Sequence, residues 1–112
     1  MLLQQRREAG ADVAALAGRV DHANAEELRA ALAPVLENCR AGGPPLVLDL
    51  SALEYISSAG LRVLMLAARQ AKEQGGHIVV AALQPLVREV FEITRFDAVF
   101  PVFDSVPAAL AG

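Results

Sequence analysis

The sequence predicts a small α/β fold, a mixed sheet with helices packed on it, and three observations carry that prediction. Two short apolar runs, Leu46–Leu50 and His77–Ala81, have the near-continuous hydrophobicity of buried strands. Between them lies a long segment whose apolar residues recur at three- and four-residue steps, which is helical periodicity. Ahead of both, a polar stretch and a small apolar stretch flank Ala9-Gly10-Ala11, as the two arms of a hairpin would. Strands joined by a helix run parallel with a right-handed crossover, so an antiparallel N-terminal hairpin should lead into parallel βαβ units. With 112 residues, 54% hydrophobic and 21% charged, the chain is long and apolar enough to form one domain over residues 1–112 without staples.

The elements follow in order. Leu3–Glu8 is polar enough for an edge strand, and Asp12 opens a second strand over Val13–Ala17. Asn24 or Asp21 supplies a capping oxygen for a helix from about Ala25 to Cys39, with Leu28, Leu32, Val35, Leu36 and Cys39 inward. Pro34 should bend that helix or split its last turn. Ala41-Gly42-Gly43-Pro44-Pro45 breaks the chain before the strand Leu46–Leu50, and Ser51–Ile56 reads as a link. Ala59–Gln74 is the strongest helix, with Leu61, Leu64, Met65, Ala68 and Ala71 as its stripe and Gly75-Gly76 as its stop. After the strand His77–Ala81, Gln84-Pro85 opens a third helix whose core face is Leu86, Val87, Val90, Phe91 and Ile93. Ala98–Phe100 forms a last strand that Pro101 confines to the sheet edge, and Asp104 or Ser105 caps a short helix through Leu110.

Composition excludes several function classes. Aromatic residues are 4% with no Trp, and the net charge is −3, which opposes both base stacking and the basic footprint of a nucleic-acid binder. A single cysteine, Cys39, excludes an internal disulfide and a multi-cysteine metal cluster; on the apolar stripe it reads as a small buried hydrophobe. His22 and His77 have no carboxylate at ligand spacing, so no metal site is expected. The glycines spell neither a Walker loop nor a dinucleotide turn, so no cofactor and no enzymatic activity are expected. No apolar run is long enough to cross a bilayer and no secretory leader opens the chain, so the expected compartment is the cytoplasm.

One segment stands out on physical grounds. Tyr55-Ile56-Ser57-Ser58-Ala59-Gly60-Leu61 joins a buried strand to the N-terminus of the strongest helix. Both hydroxyls therefore stand where free backbone N–H groups and the positive end of a helix dipole converge. The plain account is one capping serine and one turn serine. The sharper account is phosphorylation, because a helix N-terminus accommodates an anion without unfolding. Gly60 suits either, since it lets a neighbouring backbone or group approach closely.

At these residues the sequence resembles the STAS domain family, and within it the single-domain anti-sigma-factor antagonists of bacteria. Gly18-Arg19-Val20-Asp21-His22-Ala23-Asn24-Ala25 is similar to the family's loop before its first helix. Leu46–Leu53 is similar to its central strand, and Ile56-Ser57-Ser58-Ala59-Gly60-Leu61 to its signature turn, D-S-[ST]-G-L. Gly75-Gly76, Leu83–Val87 and Phe91–Phe96 follow at matching intervals. The resemblance implies a partner switch. The unphosphorylated antagonist binds an anti-sigma factor that is also a serine kinase; phosphorylation releases it, and a PP2C-type phosphatase resets it. By position the acceptor is Ser58, Ser57 replaces the signature Asp, and Ala59 replaces the second Ser or Thr. The partner-binding face implied comprises Asp21, His22, Asn24, Ser57, Ser58, Ala59, Gly60, Leu61 and Arg62, with Leu61 providing apolar surface. The missing Asp keeps open an alternative: an unphosphorylated STAS module of a sensory scaffold or a membrane transporter complex, with lipid-transfer systems included. A small enzyme or nucleotide-binding protein using the C-terminal edge of the sheet, which offers Asp49, Ser57, Ser58 and the Ala81–Gln84 loop but no base or phosphate loop, is the remaining and weakest reading.

Overall fold

The computed structural model describes residues Met1–Gly112. A single five-stranded sheet carries β1 (Leu2–Glu8), β2 (Ala11–Val20), β3 (Leu46–Ile56), β4 (Ile78–Ala81) and β5 (Val102–Phe103) in that spatial order. β1 pairs antiparallel with β2, and every later pair is parallel. The connecting helices are α1 (Ala25–Asn38), α2 (Ser58–Glu73) and α3 (Pro85–Ile93), and α4 (Val106–Ala111) closes the chain. Because neighbouring strands are joined in sequence order with one hand of crossover, the three connecting helices return over one face. Leu28, Leu32, Leu64, Val87 and Phe91 accordingly share one core with Leu48, Leu50 and Val80 of the sheet. The other face holds a smaller cluster of Ala11, Val13, Val47 and Ala81 under Val106 of α4.

Several expectations need correction. Ser51–Ile56 is not a link but the second half of β3. Leu53 and Ile56 are buried there, and β2 runs alongside as far as Val20 opposite Ile56. Two register shifts, between Ala15 and Ala17 and between Gly18 and Arg19, interrupt the ladder along that extension. Gly18 sits at φ +91°, a backbone conformation only glycine adopts cheaply. The last strand lies after Pro101, not before it, and a single 3₁₀ turn occupies Phe96–Ala98. Phe96 instead packs edge-on against Phe91, with Phe100 tilted against both, and the carbonyl of Pro101 accepts from Val80 at 3.0 Å.

The helices also differ in detail. On α3 only Val87 and Phe91 are buried, whereas Leu86 and Ile93 are 52% and 73% exposed. A nine-residue helix packed over the sheet on one side buries only a narrow face, and the apolar spacing alone does not say which residues fall outside it. On α2 the buried stripe runs through Gly60, Leu61, Leu64, Ala67 and Ala71, leaving Met65 and Ala68 half-buried. Its end is as anticipated: Gly75 at φ +74° donates to Lys72 at 3.1 Å and Gly76 to Ala71 at 2.8 Å, a Schellman stop. Pro34 lies inside α1, which remains helical through Asn38. Cys39 is buried just beyond that helix, where burial pushes its thiol pKa above the ordinary range. His77 is exposed and precedes β4.

Candidate functional site

Extension of β2 and β3 to a common end places two loops side by side. The amide of Ser57 donates to the carbonyl of Val20 at 2.8 Å, tying the entrance of α2 to the exit of β2. Gly60 sits in the first turn of α2 against that junction. A Cβ there would stand 2.6 Å from Val20 Cγ1 and 2.7 Å from Ile56 Cγ1, so a methyl group does not fit unless those side chains or the helix shift.

The two serines of the turn have different surroundings. Ser57 is the N-cap of α2: its backbone is extended, its side chain is 5% exposed, and its Oγ accepts from the amide of Gly60 at 3.2 Å. Ser58 is the first helical residue, is exposed, and its hydroxyl makes no hydrogen bond within the chain. Asp and Ser are both favoured N-caps, so Ser57 can do the structural work of an Asp at this position while removing its charge. No acidic residue stands in the first turn of α2, and Arg62 is exposed on its second turn. The positive end of this helix dipole therefore has no carboxylate within its own first turn.

The neighbouring loop is held by its own polar groups. Asp21 Oδ1 accepts from the amides of Ala23 at 2.9 Å and Asn24 at 3.2 Å. Asn24 Oδ1 accepts from the amide of Asp21 at 2.8 Å, and its Nδ2 donates to the carbonyl of Arg19 at 2.9 Å. Asn24 occupies the N-cap position of α1, yet neither side chain caps that helix; both are spent on closing the loop. Asp21 and His22 are exposed and Asn24 is half-buried.

Of the anticipated surface, Ser58, Asp21, His22 and Arg62 are exposed, and Ala59 and Asn24 are partly so. Ser57, Gly60 and Leu61 lie beneath it. The apolar patch expected around Leu61 is absent, because its side chain is 7% exposed and belongs to the core stripe of α2. Sequence reasoning also missed a neighbouring pair. Arg19 and Tyr55 are paired across β2 and β3, and the Arg19 guanidinium lies 4.5 Å from the Tyr55 ring centre, a cation–π contact. The β-favouring residues Tyr55 and Ile56 beside the apolar Leu53 were the available signal, and they point to the pair only once 51–56 is taken as strand.

A mixed five-stranded sheet with an N-terminal hairpin, one helical face and a serine-bearing turn at the entrance of α2 is the architecture of a STAS domain. The family model described as "Mlab, STAS domain" matches residues 3–103, and the chain belongs to that family. It is 50% identical over 99 residues to BtrV of Bordetella bronchiseptica, a protein assigned as an anti-sigma factor antagonist, covering 88% of this chain and 83% of that one. An anti-sigma factor antagonist from Mycobacterium paratuberculosis superposes with a TM-score of 0.86 at 27% identity, covering 98% of this chain and 91% of that one. The antagonist SpoIIAA in its unphosphorylated form shares the fold, with a TM-score of 0.75 at 19% identity over 97% of this chain and 94% of that one.

Proposed function

We propose that this chain is an anti-sigma-factor antagonist working by partner switching, with Ser58 as its phosphorylation site. Its 50% identity to an assigned antagonist supports the first half of the reading. The observation that carries the second half is the division between the serines: Ser58 is exposed with a free hydroxyl, while Ser57 is buried and bonded to Gly60. SpoIIAA, of the same fold, has been solved in a phosphorylated form as well. An anti-sigma factor that is also a serine kinase is the partner this reading requires, with a PP2C-type phosphatase to reset it.

Phosphate on Ser58 adds about −1.5 to −2 charges beside the N-terminus of α2, which tolerates an anion and so keeps the fold. In a complex, the same dianion must lose its water. Left unpaired at an interface it costs several kcal/mol, and about 2.7 kcal/mol already weakens binding roughly a hundredfold. Asp21, His22 and Arg62, with the half-buried Asn24 and Ala59, form the rest of the surface for that partner, and Ser57, Gly60 and Leu61 shape it from below. Affinity capture from native cells tests the scheme: the wild-type chain should retain an anti-sigma factor with a kinase domain, and Ser58→Asp should lose it. Equal retention by both forms would reject the switch.

Ser57 in place of the signature Asp favours one other reading, a STAS module that docks constitutively in a transporter or sensory assembly. That reading requires Ser58 to remain unmodified in cells while the chain co-purifies with a permease or a large oligomer.

A further inference from the structure

We propose that the groove between the C-terminal half of α2 and the outer edge of β4 docks an extended, acidic segment of a partner protein. The groove encloses about 760 Å³. Met65, Ala68, Ile78, Val79, Val99 and Pro101 supply its apolar surface, and Arg69, Lys72 and His77 its charged or polar groups. None of the lining residues is buried, so the site is a trough along the surface; small-molecule pockets typically bury 70–90% of their ligand.

The backbone on one side of the trough lacks a partner. β5 pairs with β4 only at Val80 and Ala81. The His77 carbonyl accepts from Leu46 on β3, whereas the Val80 amide donates outward to Pro101. Ile78, two residues before Val80, therefore presents its N–H and C=O outward in the same direction. Pro101 has no N–H with which to prolong the ladder toward it. An open strand edge flanked by side-chain pockets is the arrangement that accepts an added strand.

Charge decides what kind of strand. Arg69 and Lys72 are one turn apart on α2, both exposed, and neither belongs to any of the four ion pairs of the chain. No carboxylate lines the groove, although the chain as a whole carries −3. An occupant whose side chains facing α2 are acidic beside Arg69 and Lys72 and apolar over Met65 and Val99, itself 37% exposed, matches both features. Arg69 lies eleven residues along α2 from Ser58, about 16 Å of helix, so docking here does not depend on the switch at the other end.

Backbone NMR of the ¹⁵N-labelled chain, titrated with a short capped peptide in which glutamates and then valines occupy every second position with threonine between them, tests this. Saturable shifts should centre on Ile78, Val79, Arg69 and Val99, and the lysine counterpart of the peptide should cause none. Arg69→Glu with Lys72→Glu, both exposed, should weaken binding roughly tenfold or more with an otherwise unchanged spectrum; Ser58→Asp should leave it unaltered. The proposal is overturned by absent or non-saturating shifts, by shifts centred elsewhere, or by equal response to the lysine peptide. It is also overturned if inorganic phosphate or anionic phospholipid vesicles alone reproduce the pattern, since the groove would then serve a free anion or a lipid surface.

Discussion

Replacing Ser57 by alanine should destabilise the fold, and replacing Ser58 should not, although the two residues are chemically identical neighbours. Ser57→Ala removes the only acceptor of the Gly60 amide, at a site where Ser57 is 5% exposed and Gly60 is buried. Loss of a serine N-cap costs about 1 kcal/mol, with a range of roughly 0.5–2. An orphaned buried amide costs about 1–3 kcal/mol, but this is the same lost bond and the two figures are not added. Because the site is closed to water, the upper part of the capping range applies, about 1–2 kcal/mol. For a chain of 112 residues that lowers Tm by about 4 °C per kcal/mol. Ser58→Ala touches an exposed hydroxyl with no bond and should stay within about 0.5 kcal/mol of wild type. Urea unfolding followed by far-UV circular dichroism measures both, at constant m-value. If Ser58→Ala costs as much as Ser57→Ala, the assignment of one serine to the helix and the other to the surface is wrong.

Three further outcomes follow from the same geometry. Gly60→Ala should lower stability by up to about 2 kcal/mol in urea melts, because overpacking against Val20 and Ile56 costs about 1–3 kcal/mol and helix propensity returns only about 1; a stabilised variant would contradict the packing. Leu53→Ala should cost about 2–5 kcal/mol, since Leu53 is fully buried in the half of β3 that looks like a loop in the sequence; a cost below 1 kcal/mol, as for an exposed loop residue, would contradict the extended strand. Burial raises the Cys39 thiol, so the folded state holds its proton to higher pH than the unfolded chain does. Its stabilising contribution is complete below about pH 8.5 and declines as pH rises above that, and Cys39→Ala should flatten the decline. Thiol titration at pH 8 should be slow until urea is added; rapid labelling of the native chain would refute the buried thiol.

Much of the fold was legible because periodicity and punctuation agreed. Gly75-Gly76, Gln84-Pro85 and the break before Leu46 marked helix ends and strand starts, and each marks the same boundary in the structure. The misreadings share a cause. Ser51–Ile56 mixes polar and apolar residues and resembles a link, yet its partner β2 follows it through two register shifts that only the paired strands reveal. Val99 and Phe100 have strand character, but Phe100 finds a better environment among Phe91 and Phe96 than in the sheet. At the candidate site the important segment was visible as a strand-to-helix turn carrying two hydroxyls. Which hydroxyl faces solvent was not, because that depends on the hydrogen bond from Gly60 to Ser57 and on the tight packing of Gly60 over Val20. Leu61 fell on the wrong side of the same helix for a partner, since helical spacing places it in the stripe with Leu64.

The central claim is that a partner kinase reads and modifies Ser58. Phosphosite mapping by mass spectrometry, after incubation with ATP and serine kinases purified from the native cells, tests it without reference to binding. The account predicts one phosphate per chain, on Ser58, retained in Ser57→Ala and lost in Ser58→Ala. A phosphate on Ser57, or none with any of those kinases, would contradict it.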